Sequence, residues 1–255
     1  AATGSDFADV EVCSGLDLTV TKTATASLDR LYKWLIDKDV DNTTIDILFG
    51  DVAIFNYDVT VTPNGYEDSG WLLGGTITIV NPNDWQDVTV SVADVLDAGG
   101  TCSITELAPY VVPMDDSLVL HYTCTTDGTT TENTVDVTWN AATYHTPTGS
   151  ATDSADVTFA LDVETNKIIT VIDDQTNPAA PVTLGTRNWF DGPYTFEYAL
   201  ELPGVEGGCV DYSNTAVIDE TGQSDSVTVT VCTRYWAFTP GFWKNHTADS
   251  ASGHD

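Results

Sequence analysis

Basic residues are scarce in this chain. Its 255 residues include 8 lysines and arginines against 39 aspartates and glutamates, which gives a formal net charge of −31. Because proteins bind DNA and RNA largely through lysine and arginine, this balance argues against nucleic acid as a partner. It also disfavours anionic membrane surfaces. Such a charge favours solubility at high salt or attracts divalent cations, and self-association must overcome it through strand pairing, cations or ionic strength.

Long apolar runs and helical patterns are missing as well. No run approaches the ~20 apolar residues that cross a bilayer, so we expect no membrane insertion. Nearly every segment instead alternates apolar and polar residues with period two, as in LDLTVTKTAT, VAIFNYDVTVT, DVTVSVADV and DSVTVTVC. Turn signals such as PNG, NPND and DAGG separate these segments at intervals typical of β-sandwiches. The pattern predicts an all-β chain.

The length suits one large domain or two sandwich-sized ones. The segment NAATYHTPTGSATDS, residues 140–154, is rich in small and turn-forming residues and is a candidate loop or linker. We therefore predict antiparallel β-sandwiches in tandem at 15–145 and 155–232, with an extended N-terminal arm at 1–14 and an irregular aromatic tail at 233–255. A single extended sandwich stays open as an alternative, because the second half is short for an independent domain.

Four of the five cysteines lie in strand-like runs: Cys102 in TCSIT, Cys124 in LHYTC, Cys209 in GCVDY and Cys232 in VTVTVC. Paired in that order, each disulfide closes a loop of about two dozen residues and contributes roughly 3 kcal/mol. Zinc is the alternative for clustered cysteines, but neither a C-x-x-C motif nor a neighbouring histidine pair occurs. Disulfides favour a secreted, extracellular or cell-surface location. Cys13 is left over, either free or bonded to another chain.

Several strings together resemble a known kind of repeat unit, namely LDLTVTKTAT, FNYDVTVTPNGYEDSGW, GTITIVNPNDW and ETGQSDSVTVTVC. They are similar to units of large secreted bacterial and archaeal surface proteins with tandem immunoglobulin-like β-sandwiches. The string TPGFWKNH, residues 239–246, resembles a short motif of such proteins, and the similarity covers most of residues 13–246. The resemblance implies immunoglobulin-like sandwiches and an extracellular structural or adhesive role. Fold analogy alone does not establish function.

The N-terminal arm is a candidate donor strand. In that family a cysteine-ended strand is commonly followed by an LTVTKTA-like strand where one repeat meets the next, and residues 9–24 resemble such a joint. The arm could add to an exposed strand edge of the next subunit through Phe7, Val10 and Val12, and Cys13 could lock the contact. A head-to-tail contact that does not close into a ring produces a filament. Packing on its own domain, or no fixed structure, are the alternatives.

Three of the few lysines share a strand face with apolar residues. Leucine, valine, isoleucine or tryptophan residues lie two or four positions away from each of Lys22, Lys38 and Lys167, and therefore on the same strand face. A buried ammonium needs a partner or must lose its charge. A neutralised lysine is also the nucleophile that a lysine–asparagine or lysine–aspartate isopeptide bond requires, next to a carboxylic acid. Buried ion pairs, or stems that reach a strand end, are the other interpretations. Candidate acceptors are Asn81, Asn140 and Asn214.

The tail RYWAFTPGFWKNHT concentrates aromatic residues beside Pro240 and Gly241, which rules out a regular interior strand. So much apolar surface is expected to fold back, to dock on a neighbouring subunit or to stack on sugar rings. The candidate contact residues are Trp236, Phe238, Phe242 and Trp243.

Two kinds of short motif are candidates for metal binding and for glycosylation. The string DKDVDN, residues 37–42, is similar to the start of an EF-hand loop, but Asn42 replaces the turn glycine and Leu48 stands where the closing glutamate belongs. We assign no metal and no cofactor, and a calcium site of another type stays open without a location. Asn42 and Asn245 lie in N-x-[ST] sequons and are candidate glycosylation sites.

No common catalytic motif is present: G-x-S-x-G, H-E-x-x-H and a P-loop are all missing. Carboxylate pairs are too abundant in an acidic chain to indicate a glycosidase. We therefore expect a non-enzymatic, secreted structural subunit of an extracellular filament or surface assembly. Its partners would be copies of itself, joined head to tail by N-terminal strand addition. The alternative is a monomeric surface adhesin that binds carbohydrate or a host surface.

Overall fold

The computed structural model describes residues 14–234, and within that range the chain is almost entirely β-structure, as predicted. The N-terminal arm through Cys13 and the chain from Tyr235 onward lie outside the described residues. In chain order the elements are β1 (Thr19–Lys22), β2 (Thr25–Val40), β3 (Thr44–Leu48), β4 (Val52–Asn81), β5 (Val88–Leu96), β6 (Gly100–Ile104), β7 (Tyr110–Val112), β8 (Asp116–Thr126), β9 (Glu132–Thr138), α1 (Ala141–Tyr144), β10 (Ser150–Asp156), β11 (Phe159–Thr165), β12 (Ile168–Asp173), β13 (Val182–Asn188), a 3-10 turn (Trp189–Asp191), β14 (Tyr194–Pro203), β15 (Cys209–Ile218) and β16 (Ser224–Arg234).

The described chain forms two compact units that interleave in sequence. Unit 1 contains residues 14–30 and 68–164, and unit 2 contains residues 31–67 and 165–234. The predicted sandwiches at 15–145 and 155–232 divide the chain at a single point, so their boundaries differ from these units. The physical reason is that β2 and β4, of 16 and 30 residues, each give one part to each unit.

The candidate linker at 140–154 belongs to unit 1. Asn140 caps the short helix α1, because its side chain accepts a hydrogen bond from the Thr143 amide at 3.0 Å. The chain then enters β10, which pairs antiparallel with β9 from Ser150↔Thr138 to Asp156↔Glu132. The segment therefore ends in a paired strand instead of a separation between domains.

Unit 1 is built from two sets of strands. In one sheet, β1 and β8 both pair antiparallel with the later part of β4, and β6 pairs with β8. The other sheet has the order β10-β9-β5-β7. Because side chains alternate between the two faces of a strand, every second residue enters the core. The fully buried members include Ile77, Ile79, Val88, Val112, Leu120, Val135 and Val137.

Unit 2 follows the same rule. β14 pairs antiparallel with the earlier part of β4, and a five-stranded sheet has the order β13-β12-β15-β16-β3. The pairs in this sheet are antiparallel apart from β16 with β3, which is parallel. The fully buried core residues include Phe55, Tyr57, Val59, Val61, Ile169, Val171, Ile218, Val229 and Val231.

Both predicted disulfides are present. Cys102 and Cys124 are opposite each other in β6 and β8, and Cys209 and Cys232 are opposite each other in β15 and β16. Each unit thus holds one disulfide, closing loops 22 and 23 residues long in sequence. Closing loops of this size restricts the unfolded chain and stabilises each unit by roughly 3 kcal/mol. None of the described helices is long and apolar enough to cross a membrane.

Candidate functional site

Lys22, the last residue of β1, points into unit 1. Its side chain is fully buried, and its Nζ donates a hydrogen bond to Asp94 Oδ1 at 2.7 Å. The same nitrogen lies 3.5 Å from the centroid of the Tyr122 ring, which adds a cation–π contact. Burial lowers the pKa of Lys22, although the carboxylates of Asp94 and Asp153 act in the opposite direction. The site therefore favours a neutral amine more than water does.

Asn133 in β9 lies beside this pair. Asp94 is opposite Val135 in the β5–β9 ladder, so Asn133 is one diagonal step away and shares the inner face with Asp94. The Asn133 side chain is fully buried, and its Nδ2 lies 3.8 Å from Cys124 Sγ. Burial, then the charge of Asp94, raises the pKa of Tyr122 to about 12, and the adjacent Asn133 side chain opposes that shift. Asn133 Oδ1 and Asp94 Oδ2 are buried without a hydrogen-bond partner.

Lys38 in β2 occupies the corresponding position in unit 2. Its side chain and that of Asp173 are both fully buried and form an ion pair. Lys38 Nζ also donates to the Tyr198 hydroxyl at 2.7 Å. Burial lowers the pKa of Lys38, against the effect of Asp173 and of more distant carboxylates. Burial, with the charge of Asp173 in addition, raises the pKa of Tyr198, so this phenol stays protonated.

Asn214 in β15 completes the second arrangement. Its Nδ2 donates to the Tyr198 hydroxyl at 2.9 Å, so it shares that oxygen with Lys38. Asp173 is opposite Ala216, which places Asn214 one diagonal step from Asp173 on the same face. Asn214 Oδ1 is buried without a hydrogen-bond partner, as is the hydroxyl of Tyr57, whose ring stacks on Tyr198 at 5.3 Å.

The two arrangements repeat each other through the backbone as well. The N–H of each lysine donates to a second aspartate, Asp153 in unit 1 at 2.7 Å and Asp225 in unit 2 at 2.8 Å. Asp153 pairs with Val135 and Asp225 with Ala216, and these are the residues opposite the buried aspartates. We refer to the two sets as the Lys22 cluster (Lys22, Asp94, Asn133 and Tyr122) and the Lys38 cluster (Lys38, Asp173, Asn214 and Tyr198).

The other lysine and asparagine candidates lie elsewhere. Lys167 is half-buried in the turn between β11 and β12, with its Nζ 5.5 Å from the centroid of the Phe190 ring. Asn81 donates to the Gln86 carbonyl at 2.9 Å and so holds a loop. Asn140 caps α1. Of the three predicted lysines, Lys22 and Lys38 are buried, and of the three predicted acceptors Asn214 lies beside one of them.

The remaining predicted site residues divide into exposed and undescribed ones. Asn42, a predicted glycosylation site, is exposed between β2 and β3. The other predicted intersubunit and glycosylation residues fall outside the described chain: Phe7, Val10, Val12, Cys13, Trp236, Phe238, Phe242, Trp243 and Asn245.

One group of metal-ligand residue types lies close together in the described chain. The ligand atoms of Asp94, Cys102 and Cys124 are within 4.8 Å of one another. Both sulfurs belong to the disulfide, which leaves a single carboxylate and no metal-binding set. In the stretch 37–42, Asp37 and Asp39 are exposed on β2.

Asp94, Asn133 and the role of Asp173 as the partner of Lys38 are absent from the sequence-derived candidates. The sequence signal for such residues is a polar side chain at a strand position where alternation predicts an inward, apolar one. Asp94 alternates with Val92 and Leu96, and Asp173 follows Ile169 and Val171 in the same way. A carboxylate or amide in such a position must find a buried partner, so its appearance opposite an inward lysine is informative.

Comparisons with known proteins do not assign the chain to a family. No protein-family model and no curated protein match it. Among solved structures, it is similar to a crystal structure of BcpA, the major pilin subunit of Bacillus cereus, at 10% identity and a TM-score of 0.16. The match covers 77% of this chain and 66% of that protein, which is less than two thirds of its length. At this TM-score the fold assignment rests on the strand topology of the chain itself.

Proposed function

We propose that this protein is a secreted structural subunit of an extracellular filament or surface assembly, with a structural instead of a catalytic role. The observation that carries the proposal is the position of the reactive side chains. The lysines and aspartates of both clusters have side chains that are at most 2% exposed. Groups enclosed in this way act on the fold around them and are closed to a soluble substrate.

The cross-bracing of each unit supports an extracellular role. Each unit has a disulfide between neighbouring strands together with a buried lysine cluster. Disulfides persist in oxidising compartments and are rare in the cytosol. A subunit that bears mechanical or chemical stress outside a cell gains from such internal links, because they remain when other contacts loosen.

The proposed joint between subunits is strand addition by the N-terminal arm. Within the described chain, the four-stranded sheet of unit 1 ends on β7 and β10, and the five-stranded sheet of unit 2 ends on β13 and β3. The outer edge of such a strand can pair with a strand from another chain. The net charge of −31 opposes the contact, so assembly should strengthen as ionic strength rises.

A second candidate function is carbohydrate binding by a monomeric adhesin. It is favoured by an aromatic group in unit 2, in which Trp189 lies 5.2 Å from Tyr32 and 5.3 Å from Phe190 between ring centroids. Phe190 is 65% exposed and Tyr66 is 50% exposed. A cavity of about 330 Å³ next to Tyr32 is also lined by Trp34. Exposed aromatic faces beside a cavity suit stacking on sugar rings.

Electron microscopy of the native secreted material, beside a variant without residues 1–13, tests the first proposal. Regular fibres that disappear in the deletion variant, while the variant stays folded by circular dichroism, are the expected result. Single particles in both samples would overturn the assembly proposal. In that case a glycan array with the Phe190→Ala variant as its control would test the adhesin.

A further inference from the structure

We infer that each unit closes an intramolecular amide crosslink between its buried lysine and its buried asparagine: Lys22 with Asn133, and Lys38 with Asn214. Asp94 and Asp173 serve as the proton carriers of the two reactions. The inference concerns the chemistry inside each unit and is independent of whether the subunits assemble.

The first argument is the proximity of the reacting groups. In unit 2, Lys38 Nζ and Asn214 Nδ2 donate to the same Tyr198 oxygen at 2.7 and 2.9 Å, so the amine and the amide are neighbours across one atom. In unit 1, Lys22 Nζ lies 3.5 Å from the centre of the Tyr122 ring and 2.7 Å from Asp94 Oδ1. In both units the carboxylate bonded to the lysine shares a sheet face with the asparagine.

The second argument comes from polar atoms that lack partners. Asn133 Oδ1, Asn214 Oδ1 and Asp94 Oδ2 are all buried without a hydrogen bond. Buried amide oxygens nearly always accept a hydrogen bond. A protonated aspartate next to a secondary amide removes this deficit, because the carboxylic O–H donates to the amide oxygen. An ordinary ion pair between lysine and aspartate leaves the asparagine oxygen unsatisfied in both units.

The third argument is the repetition. A structural ion pair requires a lysine and one aspartate. Each unit also contains an asparagine, two residues before the residue that lies opposite the buried aspartate in the ladder. Each unit further contains a second aspartate, which accepts a hydrogen bond from the backbone N–H of the lysine. Two buried sites that agree in four polar residues indicate one shared chemistry.

The reaction balances without a further reagent. The lysine ammonium first passes a proton to the aspartate carboxylate along their hydrogen bond, which gives a neutral amine and a carboxylic acid. The amine attacks the asparagine Cγ while the acid donates a hydrogen bond to its oxygen. The new C–N bond forms, the bond from Cγ to Nδ2 breaks, and the Nδ2 group leaves as ammonia with a proton from the attacking nitrogen. The proton held by the aspartate stays there or leaves with the ammonia.

Burial supports this direction of reaction. The depressed pKa of each lysine increases the fraction of neutral amine, which is the nucleophilic form. A carboxylate is a poor acceptor for an amine because it is negatively charged, whereas the asparagine amide is neutral. The aspartate therefore acts on the proton, and the asparagine receives the nitrogen.

Intact-mass spectrometry of the purified full chain, with its disulfides reduced, provides the test. The expected mass is lower than that of the sequence by two molecules of ammonia. Lys22→Arg and Lys38→Arg should each restore one ammonia, and the double variant should restore both. Lys167→Arg, a matched change at the third candidate lysine, should retain the full deficit.

Peptide mapping of the wild-type protein covers the case in which a variant fails to fold. A proteolytic digest should contain one branched peptide that joins Lys22 to Asn133 and another that joins Lys38 to Asn214. Linear peptides with unmodified lysine and asparagine at these positions would overturn the inference. A deficit of water instead of ammonia would also overturn it, because that product joins lysine to aspartate.

Discussion

Lys38 and Asn214, on strands β2 and β15, donate to one and the same acceptor, the hydroxyl oxygen of Tyr198, at 2.7 and 2.9 Å. Three polar groups from three strands thus meet at a single buried point of unit 2. The stacked ring of Tyr57 covers that point, with 5.3 Å between the two ring centroids. The Tyr198 hydroxyl therefore links strands β2, β14 and β15 of this unit.

Removal of the Tyr198 hydroxyl should destabilise the protein measurably. In Tyr198→Phe, the buried N–H groups that donate to the hydroxyl lose their acceptor, and we expect a loss of about 1–3 kcal/mol in the free energy of unfolding. Urea unfolding monitored by tryptophan fluorescence measures it. Tyr212→Phe is the matched control, because the Tyr212 hydroxyl donates to the Pro203 carbonyl at 2.8 Å in an exposed setting. Equal effects of the two variants would contradict the role of Tyr198.

The buried site of Lys22 gives a second prediction. Asp94→Ala removes the carboxylate that carries the proton in the proposed reaction, so Lys22 stays unlinked and charged in a fully buried site without its hydrogen-bonded partner, and we expect a loss of about 3–5 kcal/mol. The double variant Lys22→Met with Asp94→Leu contains neither charge and should regain the part of that loss that comes from the unpaired lysine. The exposed Lys33–Glu67 pair is the control, since Glu67→Gln should leave the urea midpoint unchanged. A double variant no more stable than Asp94→Ala would refute the interpretation.

Features that depend on the local alternation of apolar and polar residues can be predicted from the sequence. Period two in Val- and Thr-rich segments predicts strands, and the same rule correctly directs Lys22 and Lys38 inward. The disulfide pairs were also predictable, because each cysteine lies in a strand-like run and the two partners are close in sequence. These features require no knowledge of which distant strands are neighbours.

The interleaved units could not be predicted, because they depend on long-range pairing. The signal PNG at Pro63–Gly65 predicts a turn, yet β4 continues through it, and Gly65 adopts a φ of 74° that glycine tolerates without strain. The partners of the buried lysines are equally distant in sequence. Asp94 lies 72 residues from Lys22, so only the strand register brings them together.

The Cys102–Cys124 disulfide should contribute mainly to the stability of unit 1. A double Cys→Ser replacement at these positions is expected to cost roughly 3 kcal/mol, because the unfolded chain regains the freedom of a closed loop. Native-state hydrogen exchange measures the effect unit by unit. The matched variant at Cys209 and Cys232 should lower protection in unit 2 instead. Equal loss of protection in both units from either variant would contradict separate bracing.

Asp97 provides a prediction for acid pH. Its carboxylate accepts hydrogen bonds from the Thr130 hydroxyl at 2.6 Å and from the Thr131 hydroxyl at 2.7 Å, and these bonds lower its pKa well below the usual range. A carboxyl whose pKa is lower in the folded state stabilises the fold above its unfolded pKa of about 3.9, and that contribution declines as the pH falls below this value. Asp97→Asn should therefore reduce the urea midpoint at neutral pH, and the difference from wild type should shrink steadily in acid. Asp136→Asn, on the neighbouring strand β9, serves as the comparison for a general charge effect. A difference between wild type and Asp97→Asn that stays constant from neutral to strongly acid pH would show that these hydrogen bonds do not depend on the ionised carboxylate.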